Sequence, residues 1–339
     1  MKKTIIFLTL LVTYGIFSQK ISPHEYGLKQ FCIKNKKLGK INFYVTKNGI
    51  GKEKPLLILL DGSGNLPIYS LLKKDNGSST IISTIPFNYR KLSEKFHVVL
   101  ISKPGTPFLD SLLVNSFEQF AEKYKPSKEY NEKLSLEWRV NSADKVIKYL
   151  LKKLKIKNKK VVVIGYSEGG QVVPKLATKN KKITKIVSIV GGGLNQFYDF
   201  IIAERLKAEK GIITTEQAQN NIDSLYLKLK EIYDNPDATD KFWLGHTYKR
   251  WNSFSKDIPL ENMLKLDIPI LIIASGKDKN SPILGLDYTK LEFTRKGKKN
   301  LTYKVYPNCD HWFNNQKNKT NKMDMMIEYV IKWIEKKSN

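Results

Sequence analysis

Two kinds of hydrophobic pattern alternate along the chain. Short runs that are apolar almost throughout, Pro55–Leu60, His97–Ser102, Val161–Ile164, Ile183–Val190 and Ile268–Ala274, predict strands buried on both faces. Leu28–Ile33, Ile41–Thr46 and Leu301–Tyr306 predict three more, the second with Ile41, Phe43 and Val45 in the period of two. Between them fall helical patterns. Residues 140–154 place Val146, Ile147, Leu150, Leu151 and Leu154 on one face, a second pattern runs on from Gly170, and residues 322–336 carry an apolar stripe through Met325, Ile327, Val330, Ile331 and Ile334. Strands alternating with helices predict an α/β protein whose mostly parallel sheet is covered on both faces.

The alternation breaks between residues 194 and 260, where the pattern is helical and polar. Residues 197–210 predict one helix. Thr214-Thr215-Glu216-Gln217 predicts a capping box opening a second over residues 218–233. No strand is needed there. The expected organisation is one domain over residues 19–339 with a helical cap inserted at about 194–260, lying over the strand ends where such sheets bind ligands.

The candidate chemistry lies where apolar runs stop. Val161–Ile164 leads into Gly165-Tyr166-Ser167-Glu168-Gly169, a Gly-x-Ser-x-Gly turn followed by a helical pattern, and strand, sharp turn and helix are the context of a nucleophile elbow. Such a turn presents the Ser167 hydroxyl at the top of the sheet, beside the Glu168 N–H and the positive end of a helix dipole. A serine nucleophile needs a base and an acid to orient it. Of the four histidines, His24 precedes the sheet, His97 opens a buried run and His246 lies in the insertion. His311 alone follows a strand C-terminal to the serine. Asp278, just beyond the Ile268–Ala274 run, is the candidate acid, with Asp287 and Asp310 behind it; Asp310 adjoins His311 and is poorly placed to face it. The oxyanion donors expected are the backbone N–H groups of Glu168 and of Ser63, the latter in the Asp61-Gly62-Ser63-Gly64 loop that closes Pro55–Leu60. The order Ser167, Asp278, His311 is that of the α/β-hydrolase sheet and differs from the orders on other serine-protease folds.

At these motifs the chain resembles the α/β-hydrolase-fold serine hydrolases, in particular secreted bacterial esterases and prolyl-oligopeptidase-like members with Gly-x-Ser-Glu-Gly-Gly. The resemblance runs from about Asn42 to Ser338, strongest at Gly165–Gly170 and good at Asp278 and Asp310-His311-Trp312-Phe313. It implies hydrolysis of a small-molecule ester, or of a peptide or amide, through an acyl-enzyme, with no metal or organic cofactor. Such members often carry His-Gly or Gln-Gly where this chain has Asp61-Gly62, so the acid must point away from a developing oxyanion. A catalytically inactive fold used as a binding protein is the rival expectation.

Charge and the N-terminus add a location. Met1-Lys2-Lys3-Thr4 followed by Ile5–Val12 is a basic segment and a short apolar one, ending in small residues before Gln19, which predicts a signal peptide over residues 1–18 and an exported, periplasmic or secreted protein. Removing it takes two lysines from 59 basic residues and none from 32 acidic ones, so a formal charge of +27 becomes +25. The lysines are scattered pairs with no aromatic-interleaved stripe, so a solvated surface is expected, with at most weak attraction to anionic surfaces and no nucleic-acid partner. Cys32 and Cys309 are expected on opposite sheet edges and unbridged.

Overall fold

The predicted strands assemble into one sheet of eight in the computed structural model, which describes residues 22–336. They are β1 (Leu28–Asn35), β2 (Gly39–Thr46), β3 (Lys54–Leu60), β4 (His97–Ile101), β5 (Ile156–Tyr166), β6 (Lys185–Ile189), β7 (Ile270–Ser275) and β8 (Leu301–Tyr306). Their spatial order is β1-β2-β4-β3-β5-β6-β7-β8. β1 pairs antiparallel with β2 and β2 with β4, and every other pairing is parallel. Parallel strands need long crossovers, and helices supply them on both faces. Leu56, Ile58, Leu60, Val161 and Val163 belong to one apolar core; Leu57, Leu59, Val162 and Ile164 belong to the other. That is why those runs are apolar at every position.

Helices α1 (Leu136–Lys153) and α2 (Glu168–Lys179) pack on the first face, and the C-terminal helix Met323–Glu335 packs on the second. Cys32 lies in the edge strand β1 and Cys309 follows β8 at the far edge, both as free thiols. The signal-peptide expectation falls on residues outside those described. No helix among the described residues is long and apolar enough to cross a membrane.

Two excursions leave the sheet on the side of its strand ends. The first is unforeseen: strands Tyr69–Lys73, Ser79–Ser83 and Leu109–Leu113 form a separate small sheet with Tyr69–Lys73 in its centre. Their half-buried pattern is too short and too mixed in polarity to rise above the surrounding loops. The second excursion holds α3 (Gln196–Glu209), α4 (Thr215–Asp234) and α5 (Tyr248–Lys256). The capping box is present, with Thr214 and Gln217 exchanging side-chain-to-backbone bonds. A departure from expectation is a two-residue strand pair, Phe242–Trp243 with His246–Thr247. Its turn places Leu244 and Gly245 at φ 45° and 76°, the positive values a tight hairpin demands.

Candidate active site

The turn after β5 is an elbow of the expected kind. Ser167 has φ 53° and ψ −123°, a region non-glycine residues avoid. Close approach explains its glycines: a Cβ on Gly165 would lie 2.1 Å from the Gly169 carbonyl oxygen, and one on Gly169 2.2 Å from that of Leu60. Only bare backbone lets α2 come down onto β5 and β3. Ser167 is thereby raised into a cavity of about 830 Å³ that is also lined by Ser63, Glu168 and His311. The Glu168 N–H is the first of α2, and among the described residues neither it nor the Ser63 N–H is taken by another hydrogen bond.

His311 and Asp278 are brought together from the loops after β8 and β7. The Nδ1 of His311 is 2.8 Å from Oδ2 of Asp278, and both residues are buried. The other carboxylate oxygen accepts the N–H groups of Asn280 (2.8 Å) and Ser281 (2.9 Å), so Asp278 shapes its turn and fixes the imidazole at once. The Tyr166 hydroxyl donates to the His311 carbonyl and ties the histidine loop to the elbow. Asp310 accepts from the N–H groups of Trp312 and Asn314, and Asp287 from the Tyr303 hydroxyl, so neither lesser candidate bonds the imidazole.

The acid that opens the loop after β3, Asp61, is neutralised by residues that sequence reading missed. Asp61 is buried against Lys103 (2.9 Å) and Arg139 (2.8 Å). Arg139 also donates to the Asp61 carbonyl at 2.9 Å and the Gly62 carbonyl at 3.4 Å, and reaches Oε1 of Glu168 at 2.7 Å. One guanidinium from α1 thus holds both the loop and the elbow residue that would supply the oxyanion donors. Arg250, from α5 of the cap, takes the other Glu168 oxygen through Nε (3.1 Å) and Nη2, and Gln196 through Nη1 at 2.9 Å. Burial pushes the Glu168 carboxyl up, but Arg250, Arg139 and Lys103 outweigh it and hold it at about 2. Burial pushes Lys103 down against the pull of Asp61, whereas the carboxylates keep Arg139 raised despite its burial. Three cationic side chains face two carboxylates here, so the group carries no net negative charge beside the Glu168 and Ser63 N–H groups.

The cap supplies the far wall. Gln196, Asp199, Phe200 and Ala203, at helical spacing on one face of α3, line the cavity with His246 and Trp251. Burial, then Arg250, pushes the His246 imidazole down to about 3, and its Nδ1 has no partner. Two tryptophans, Trp251 and Trp312, line the cavity. Trp243 stacks on Phe197 at 5.3 Å within the cap, and Phe254 is buried in the main core beneath Arg250. Among the described residues no cluster of His, Cys, Asp or Glu is arranged to hold a metal ion.

The fold is that of the α/β hydrolases. The chain is similar to the Pyrococcus horikoshii acylaminoacyl peptidase with a TM-score of 0.57 and 13% identity, over 92% of this chain but only 42% of that longer one. It is similar to a Pyrococcus furiosus esterase with a TM-score of 0.53 and 13% identity, over 93% of this chain and 94% of that one. A 2,6-dihydroxy-pseudo-oxynicotine hydrolase is matched with a TM-score of 0.51 and 15% identity, over 91% and 67% of the two chains. Residues 141–315, 175 of the 339, match the family described as BAAT / acyl-CoA thioester hydrolase C terminal, and the chain belongs to that family. No curated protein sequence matches it.

Proposed function

We propose that the protein is an exported serine hydrolase that cleaves a carboxylic ester through an acyl-enzyme. What carries this reading is the meeting, at one cavity, of a serine on a strained elbow with a histidine held at 2.8 Å by a buried aspartate. Ser167 attacks the carbonyl, and His311 takes the hydroxyl proton and passes it to the leaving group. Asp278 keeps Nδ1 of the imidazole protonated, so that Nε2 is the basic nitrogen. The N–H groups of Glu168 and Ser63 bind the oxyanion. Water then attacks the acyl carbon, giving a proton to His311, which passes it to Ser167 Oγ as the acid departs.

The family's name favours a second leaving group, a thiol, and a thioester needs less proton donation on departure than an ester does. A peptidase or amidase reaction uses the same groups, and a similar fold occurs in an acylaminoacyl peptidase. The purified protein, assayed on short-chain esters, acyl thioesters and aminoacyl and prolyl amides, is expected to turn over esters fastest and to lose that turnover in Ser167→Ala. Turnover retained by Ser167→Ala, or amides cleaved faster than esters, would overturn the proposal in its mechanism or its substrate. Export rests on the basic and apolar N-terminal segment, and predicts mature protein beginning near Gln19 outside the cytoplasm.

A further inference from the structure

Three carboxylates line the cavity, and two are accounted for. Asp61 is bound by Lys103 and Arg139, and Glu168 by Arg139 and Arg250. The third, Asp199, has no cation and no hydrogen-bond donor on its carboxyl group among the described residues. Its surroundings are tightly built. It projects from the cavity face of α3 between two glycines, its oxygens 3.5 Å from where a Cβ on Gly192 would stand and 3.8 Å from one on Gly285. On the same cavity wall the Gln171 oxygen accepts from the Gln196 amide, and the Gln196 oxygen accepts from Arg250.

An acid left unpaired in the protein but facing the substrate space is completed by the substrate. We infer that Asp199 is a specificity determinant for a cationic nitrogen group carried by the substrate, in its acyl or its alcohol portion. The inference rests on the hydrolase reading above and adds a substrate class to it. Phe200 and Trp312 line the same cavity, and a cation gains from an aromatic ring once it leaves water. Burial, then the charge of Asp278, pushes the Asp199 carboxyl up to about 8. The other charged or titratable groups around the space are Asp61 after β3, Tyr166 at the end of β5, Glu168 on α2, Asp278 and Lys279 after β7, His311 after β8, and His246 and Arg250 from the cap. The sign follows: below about 8 the carboxyl is neutral and indifferent to a cation, and above it the carboxylate attracts one.

The test is a matched pair of acetate esters, one with a quaternary ammonium alcohol and one with its neutral tert-butyl isostere, whose charges do not change with pH. In the wild-type protein the ratio of kcat/KM for the cationic over the neutral ester should rise about tenfold between pH 6.5 and 9, as Asp199 ionises in the free enzyme. Taking the ratio cancels the titration of His311, which serves both esters. In Asp199→Asn the ratio should fall at least about tenfold at pH 9, roughly the worth of one partly buried charge contact, and lose its pH dependence. A flat wild-type ratio would overturn the inference while leaving the hydrolase intact. An equal fall on both esters in Asp199→Asn would also overturn it, assigning Asp199 to the packing of α3. Failure of the hydrolase reading would look different, as no Ser167-dependent turnover of either ester.

Discussion

The sheet and the cap that covers its strand ends are built on different physics. Leu56, Leu57, Ile58, Val161, Val162, Val163 and Ile164 are completely buried, and two apolar cores hold the sheet from either side. In the cap, α3 buries only Phe197 and Ile202, and α4 only Ala218, Ile222 and Ile232. The cap has its own small aromatic cluster of Phe197, Trp251, Trp243 and Phe200, and is tied to the body through α5, by Phe254 in the main core and Arg250 on Glu168. A region held by a wide apolar interface fixes the geometry of chemistry. Helices α3 and α4, by contrast, rest mainly on the cap's own cluster. Glu168 stands where the two meet, one oxygen on Arg139 of the body and the other on Arg250 of the cap.

Several changes should sharpen or break that contrast. The largest effect is expected on the body side. Asp278→Asn preserves shape but favours the wrong imidazole tautomer, and should lower kcat by about 10⁴ with little change in KM or in the denaturation midpoint. Next comes Arg139→Met, which leaves Asp61 and Glu168 underpaired. A loss of about 3–5 kcal/mol in urea denaturation is expected. Because Arg139 only positions the donor loop and the elbow, kcat should fall more than KM rises, and an unchanged kcat would detach it from the oxyanion site.

Arg250→Met should act on the cap, costing about 3 kcal/mol or less, since Glu168 keeps Arg139. It carries a pH signature. The folded value of Glu168, about 2, lies below the ordinary 4.5, so its ion-pair contribution is complete above 4.5 and is lost as pH falls toward 2. The stability gap between wild type and Arg250→Met should therefore narrow from pH 5 to pH 2.5; a constant gap would mean that Arg250 acts by packing on Trp251 and Phe254 alone. The smallest effect is expected for Thr214→Ala, which removes the capping box of α4 at a cost of about 1 kcal/mol and leaves ester turnover unchanged.

The same contrast explains what the sequence could reveal. Runs buried on both faces are apolar almost throughout, so the inner strands from Pro55–Leu60 to Ile268–Ala274 stand out in the sequence. Ser167 is legible because strand, glycines and helix surround it locally, and His311 because only it follows a late strand. Arg139, Arg250 and Asp199 carry no such mark. Their roles depend on partners 29 to 82 residues away for the two arginines, and on the absence of a partner for Asp199, neither of which is a local pattern. Asp61 looked like a misfit beside an oxyanion because Lys103 and Arg139 meet it only in the fold. The small sheet around Tyr69–Lys73 was hidden for another reason, since its strands are short, half-buried and mixed in polarity.

The most direct measurement is to react the folded, purified protein with a fluorophosphonate probe and locate the adduct by mass spectrometry, beside His311→Ala and Ser167→Ala. Such a probe phosphonylates a serine only when a neighbouring base activates it. A single adduct at Ser167, greatly slowed in His311→Ala and abolished in Ser167→Ala, is predicted. An adduct at another residue, or a folded wild-type protein that forms none while its Arg250→Met variant also forms none, would contradict the assignment of Ser167 as an activated nucleophile.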